Sequence, residues 1–299
     1  MSGLTFDIHR FSLNDGPGIR TTVFLMGCYL KCEWCHNPES QSFIPQLSFN
    51  TEKCIHCFEC VKVCPYSAHK IKDNKHFVEW NLCDLAGKCA EVCPSGALKI
   101  IGTNSEVEFI ISEVMKDKKY YDKTSGGLTI SGGEPMAQFE FTKELLMMAK
   151  QKGIHTALDT CGYGEQEHYK EILDYADLFL FDYKFTDEQL HKKYTGVTNK
   201  DIIANLEFLY NAGASIILRC PLIPGINDSD EHLEGIKKLI QIYPELLAVE
   251  IMPYHNMGKD KASRVGIEYK LSQIQSADES DKQRWINYFT TEQINVVCN

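Results

Sequence analysis

Two rhythms of apolar and polar positions run through the last two-thirds of the chain. From about Val107 onward, short apolar runs recur as Leu128-Thr-Ile130, Thr156-Ala-Leu158, Leu178-Phe-Leu-Phe181, Ile216-Ile-Leu218 and Val249-Glu-Ile251. Runs this apolar read as strands buried on both faces. Between them, residues 139–150, 165–175, 201–211 and 230–242 carry apolar side chains at helical spacing. Strand and helix in alternation predict a parallel sheet covered by helices. Thr22-Val-Phe-Leu-Met26 adds an earlier strand. About six βα units result, which suits an α/β fold of partial-barrel, (β/α)6, type better than a full eight-unit barrel.

Between that first strand and Val107 the rhythm breaks, and cysteines take over. The 299 residues hold 13 cysteines, of which ten fall from Cys28 to Cys93 in short repeated spacings. No charged segment followed by an apolar stretch opens the chain, as secretion would require, and the chain is longer than the usual disulfide scaffold. Clustered cysteines in such a chain read as metal or iron–sulfur ligands in a reducing, oxygen-poor cytoplasm. Cys161, Cys220 and Cys298 stand apart and read as buried apolar residues. A net charge of −10 argues against a nucleic-acid partner, and no apolar run is long enough to span a membrane.

The first cysteine group, Cys28, Cys32 and Cys35, has C-x3-C-x2-C spacing. Three thiolates can hold three irons of a [4Fe-4S] cluster and leave the fourth iron open to a small molecule. A structural zinc, with His36 as fourth ligand, is the alternative. The second group, Cys54, Cys57, Cys60 and Cys64-Pro65, has bacterial ferredoxin spacing, and Cys83, Cys89 and Cys93-Pro94 repeat it. In two-cluster ferredoxins the last cysteine of each motif serves the other cluster. Cys54, Cys57, Cys60 and Cys93 are therefore expected on one auxiliary [4Fe-4S] cluster, and Cys64, Cys83 and Cys89 on the other. Ala86 stands where the second motif needs a cysteine. Asp84 is one completion; an open iron or a lost cluster are the others, and zinc is again the alternative for the region. The expected organisation is residues 1–48 opening the barrel, 49–102 as an inserted α+β ferredoxin-like domain, and 103–299 completing the barrel.

Asp15-Gly-Pro-Gly-Ile-Arg20, the strand after it and the cysteine triplet with Trp34 before its last member resemble the start of a radical S-adenosylmethionine (radical SAM) enzyme. Within that group the chain resembles the activating enzymes of glycyl radical enzymes, through further motifs to about Lys261. Ser131-Gly-Gly-Glu134-Pro135, Asp159-Thr-Cys-Gly-Tyr163, Asp182-Tyr-Lys184 and Pro253-Tyr-His255 each follow a predicted strand. The resemblance implies that Gly132, Gly133 and Glu134 hold the methionine amino group of S-adenosylmethionine, and that Lys184 neutralises its carboxylate. It implies that Asp159, Thr160 and Asp182 surround a monovalent cation, and that Trp34, Arg219 and His255 complete the cosubstrate site. Helix N-capping is the plainer use for the two aspartates. Asp15 and Gly16 match residues that meet the partner's glycine loop; a tight turn is their plainer reading.

The implied activity is that of an oxidoreductase. It cleaves S-adenosylmethionine reductively to a 5′-deoxyadenosyl radical, which takes a hydrogen atom from a glycine of a partner glycyl radical enzyme. A ferredoxin or flavodoxin is the implied electron donor, and a monomer the implied state. Two rival readings are a radical SAM enzyme acting on another peptide or small molecule, and a ferredoxin-like electron carrier.

Overall fold

The computed structural model of the chain describes residues 1–290 and 295–298. Its strands are β1 (Ser2–Ser12), β2 (Arg20–Leu25), β3 (Gln46–Phe49), β4 (His69–Lys72), β5 (Lys75–Val78), β6 (Leu98–Ile101), β7 (Thr103–Glu106), β8 (Gly127–Gly132), β9 (His155–Thr160), β10 (Leu178–Asp182), β11 (Ile216–Leu222), β12 (Ala248–Pro253) and β13 (Val296–Cys298). Its α-helices are α1 (Glu59–Val63), α2 (Lys88–Glu91), α3 (Val107–Met115), α4 (Lys118–Thr124), α5 (Phe139–Gln151), α6 (Gln166–Ile172), α7 (Glu188–Thr195), α8 (Lys200–Asn211), α9 (Asp230–Ile242), α10 (Gly258–Arg264) and α11 (Glu279–Phe289).

A nine-stranded sheet runs in the order β13-β12-β11-β10-β9-β8-β2-β1-β7. From β2 to β13 every pairing is parallel. Helices connect these strands because their apolar stripes need the sheet face. In α9, Leu233, Ile236, Leu239 and Ile240 are buried. Each such side chain contributes about 1.5–3 kcal/mol relative to exposure. The Ser229 side chain caps α9 by accepting from the His232 amide. Central strands are apolar on both faces: Leu128, Ile130, Phe179, Phe181, Leu218 and Ile251 are all fully buried. The five later strands and four helices expected from the sequence are all present.

The first parallel strand is β2, which begins at Arg20 and ends at Leu25, so it starts and stops earlier than the apolar run suggests. Two antiparallel strands at the sheet edge, β1 and β7, have no counterpart in the apolar pattern. The buried positions of β1 are Gly3 and Thr5, and β7 reads Thr-Asn-Ser-Glu. Backbone pairing holds these strands, helped by the 2.7 Å contact between the Thr5 and Ser105 hydroxyls. Short β13 adds a seventh parallel strand.

Residues 46–101 form a separate small unit of structure. β3 and β6 pair antiparallel, and β4 and β5 form a hairpin whose turn residues Asp73 and Asn74 are both left-handed. Such a pair matches the twist of a two-residue hairpin. Leu47, Phe49, Cys60, Val78, Cys89, Ala97 and Leu98 make up a core distinct from that of the large sheet.

Candidate active site

The carboxyl ends of the parallel strands converge on one cavity of about 260 Å³. Cys28, Cys32, Trp34 and Cys35 reach it from the loop after β2, Gly132 and Gly133 from β8, and Asp159 and Thr160 from β9. Asp182 and Lys184 come from β10, Arg219 from β11 and Asp15 from the loop before β2. These are twelve of the residues singled out in the sequence, gathered on a single wall system.

The backbone holds the cysteine loop against β8. Gly133 N–H donates to Leu25 O at 2.7 Å and Glu134 N–H to Gly27 O at 2.8 Å. A Cβ on Gly133 would sit 2.3 Å from Gly27 O, and one on Gly132, at φ +109°, 2.4 Å from the Leu25 backbone. Only glycine permits this approach. Glu134 lies behind the wall rather than in it and is fully buried. Its carboxylate accepts from Cys161 N–H at 2.7 Å, Thr160 Oγ1 at 2.8 Å and Met136 N–H at 3.0 Å. It thereby ties the ends of β8 and β9 together, while burial pushes its carboxyl up from the usual range.

Charge is concentrated on the opposite side. Asp182, Arg219 and Glu250 are register neighbours on β10, β11 and β12. Arg219, whose side chain is 5% exposed, donates to Glu250 at 2.9 Å, to Asn14 O at 2.8 Å and, more loosely, to Asp159 at 3.5 Å. Burial works against the guanidinium, but Asp159 and Glu250 more than offset it and raise its pKa. Asp159 also accepts from Ser131 at 2.6 Å. Burial pushes its carboxyl up to about 6, more than Arg219 pulls it down, and Asp182 adds to the rise. Lys184 bonds Asp182 at 2.6 Å. Burial opposes its charge, yet Asp182 more than offsets this and raises its pKa.

Glu250 and Asn14 were not read as site residues from sequence. Glu250 had a signal, since it is the lone acid in an apolar strand; Asn14 contributes only a carbonyl and had none. Asp15 is set by Thr22 Oγ1, which donates to its carboxylate, and by Thr129 Oγ1, which donates to its carbonyl, both at 2.7 Å. Gly16, at φ +113°, lies over Arg20 and Leu180. His255 stacks on His36, ring centroids 3.7 Å apart, and its buried Nδ1 has no partner among the described residues. His36 itself lines the cavity, where burial and then His255 push its pKa down to about 3.

Burial pushes the thiols of Cys28, Cys32 and Cys35 up, Cys32 to about 12. They would become thiolates only on binding a strong cationic centre. A single tetrahedral zinc, about 2.3 Å from each sulfur, would draw its ligand atoms to within about 4 Å of one another. Among the described residues, only Cys60, His69 and His76 bring three ligand atoms within 4.8 Å. The sulfurs of the three loop cysteines do not all lie within that distance of one another.

Two further cysteine sets lie in the 46–101 unit. Cys54, Cys57, Cys60 and Cys93 line one pocket, with His76. Cys64, Cys83 and Cys89 line another, with His69, Asp84 and Ala86. The last cysteine of each motif sits in the other motif's pocket. Asp84 is exposed and is hydrogen-bonded to Tyr66. Cys161 lines the main cavity, and Cys220, on β11, is buried in the core of the large sheet.

A profile of the Radical SAM superfamily matches residues 22–236. The trans-4-hydroxy-L-proline dehydratase activating enzyme of Clostridioides difficile is 40% identical, over 99% of this chain and 98% of its own length. The choline trimethylamine-lyase activating enzyme of Oleidesulfovibrio alaskensis is 37% identical, over 94% and 93% respectively. The chain is a radical SAM enzyme of the glycyl radical enzyme activating family. Membership brings a [4Fe-4S] cluster, S-adenosylmethionine and a glycyl radical enzyme as partner. A radical SAM methyltransferase from Sphaerobacter thermophilus shares the fold at 12% identity, with a TM-score of 0.55 over 98% of this chain and 76% of that one. Among the described residues, no helix of this activating enzyme is long and apolar enough to cross a membrane.

Proposed function

We propose that the strand-end cavity binds S-adenosylmethionine against a [4Fe-4S] cluster held by Cys28, Cys32 and Cys35, to install a radical on a glycine of the partner enzyme. The observation that carries this reading is the convergence of three thiols, a glycine-walled cleft and a buried lysine in one cavity. The bound cluster and cosubstrate supply a one-electron reductive cleavage that ends in methionine, 5′-deoxyadenosine and a hydrogen atom removed from the glycine Cα. The chain's own residues bind, orient and exclude. Lys184, held charged by Asp182, is the counter-ion for the methionine carboxylate. Gly132 and Gly133 open the wall so that backbone carbonyls can accept from the amino group. Glu134 fixes that wall from behind. Trp34 lines the cavity, and His255, stacked behind His36, supports the adenosine end.

Asp159, Thr160 and Asp182 form the acidic corner for a monovalent cation, and Arg219 braces it while anchoring the loop that carries Asp15. Asp15 and Gly16 then sit at the entrance used by the partner's glycine loop. Residues 49–102 act as a ferredoxin-like insertion in a partial (β/α)6 barrel. They carry two auxiliary [4Fe-4S] clusters and pass single electrons from a ferredoxin or flavodoxin to the active-site cluster of a monomeric activase.

The test is anaerobic incubation with reductant, S-adenosylmethionine and candidate glycyl radical enzymes. 5′-Deoxyadenosine together with a glycyl radical resonance on one partner is expected, and neither is expected from Cys28→Ala. Cleavage without a radical on any glycyl radical enzyme would favour a different peptide or small-molecule substrate.

A further inference from the structure

Two buried histidines join the auxiliary pockets. His69, on β4, lines the pocket of Cys64, Cys83 and Cys89, and His76, on β5, lines the pocket of Cys54, Cys57, Cys60 and Cys93. The hairpin pairs their strands so that His69 Nδ1 and His76 Nε2 lie 2.8 Å apart. Two imidazoles on one tetrahedral zinc would hold their nitrogens roughly 3.3 Å apart. At 2.8 Å the pair is a hydrogen bond rather than half of a mononuclear site. His76 is wedged between two sulfurs, with Nε2 3.5 Å from Cys60 Sγ and Nδ1 3.9 Å from Cys54 Sγ. Phe49 packs edge-on against the ring, which prevents it from turning away. The His56 ring accepts from the His76 amide at 3.3 Å and fixes the backbone below it.

This arrangement works for either tautomer. If His69 donates to His76 Nε2, the His76 proton must sit on Nδ1 and face Cys54. If His76 donates through Nε2, that N–H lies between His69 and Cys60. One N–H of His76 therefore always borders a sulfur of the first auxiliary set. An N–H beside a ligand sulfur stabilises the more negative, reduced state of a cluster and raises its potential.

We infer that His76, oriented by His69, is a hydrogen-bond donor to the sulfur ligands of the first auxiliary cluster and sets its reduction potential above what the cysteines alone would give. The inference rests on the reading that residues 49–102 carry clusters. His76 is a positioning and tuning residue here, not a ligand. A more easily reduced first cluster would act as the entry point for the external electron, with the histidine bridge leading toward the second pocket.

Iron analysis and potentiometric titration of the full, anaerobically reconstituted chain, followed by electron paramagnetic resonance, test this. Only about four irons per wild-type chain would defeat the cluster reading itself, independently of His76. With more iron present, His76→Leu is expected to lower one auxiliary midpoint by a tenfold change in the reduction equilibrium, 59 mV for a one-electron couple. The active-site cluster signal should be unmoved. His76→Asn, which keeps an amide N–H near the Nδ1 position, should recover part of the shift, and His69→Leu should lose part of it. Unchanged midpoints at full iron content would overturn the inference. So would loss of iron from both His76 variants, which would mark the ring as a ligand or a packing element. If only His76→Leu loses iron, the shifts in His69→Leu and His76→Asn decide on the same criterion.

Discussion

Replacing Arg219 with Met removes the cation that three separate segments share. The side chain is 5% exposed, with Glu250 at 2.9 Å, Asp159 at 3.5 Å and the Asn14 carbonyl at 2.8 Å. Deleting one partner of a buried ion pair costs about 3–5 kcal/mol, because the other charge stays behind unpaired. Glu250 is 13% and Asp159 20% exposed, so water recovers part of this; about 3 kcal/mol is expected. Adding Glu250→Gln removes the stranded carboxylate. The double variant should then be more stable than the single one, with a coupling of about 1–3 kcal/mol. Urea unfolding of the cluster-loaded chain without S-adenosylmethionine measures all four corners of the cycle. Activity should not follow stability. Both variants lose the bond to Asn14 that tethers Asp15, and misplacing a reacting group by about 1 Å can cost on the order of 100-fold in rate. A single variant within about 1 kcal/mol of wild type, and a double variant no better, would refute the role given to Arg219.

Gly133→Ala should displace the cysteine loop, since the new Cβ would meet Gly27 O at 2.3 Å and Ser40 O at 2.8 Å, both backbone atoms. Overpacking of this kind costs about 1–3 kcal/mol, and iron analysis should show the active-site cluster depleted while the auxiliary signals persist. Asp159 provides a pH test. Its folded pKa, about 6 against an ordinary 3.8, is raised, so the folded chain keeps the proton longer and stability is lost as pH climbs from the lower value through the higher. Asp159→Asn does not titrate, so its stability relative to wild type should improve by roughly 1–1.5 kcal/mol between pH 5 and pH 7.5. A pH-independent difference would contradict the raised pKa of this carboxyl. Finally, Cys57→Ala with Cys60→Ala should slow radical installation with a ferredoxin or flavodoxin donor; an unchanged yield would remove the relay role.

The sequence revealed six of the seven parallel strands because the central ones bury both faces and read as apolar runs, as in Leu178-Phe-Leu-Phe181; half-buried β13 at the edge was not read. It did not reveal β1 or β7. Those strands bury Gly3, Thr5 and Ser105, and backbone pairing rather than side-chain burial puts them in the sheet. The lining of the cavity was legible wherever a motif called for a particular residue type, as with Cys28, Gly133 or Lys184. It was illegible where only a carbonyl matters, as at Asn14, and easy to misplace where a side chain works from behind. Glu134 looks from its motif like a residue facing ligand, yet the hydrogen bonds of its carboxylate run to Met136, Thr160 and Cys161. The two histidines of the hairpin carried no motif, because their meaning lies in a pairing register that only folding creates.

The most direct measurement of the central claim is the electron paramagnetic resonance spectrum of the reduced chain before and after S-adenosylmethionine is added. It is best taken in a variant lacking Cys54, Cys57 and Cys60, to reduce auxiliary signals. A cluster held by only Cys28, Cys32 and Cys35 has one iron free to bind the cosubstrate, so its spectrum should change on addition, and Lys184→Ala should weaken the change. A spectrum indifferent to the cosubstrate would contradict direct binding at that iron.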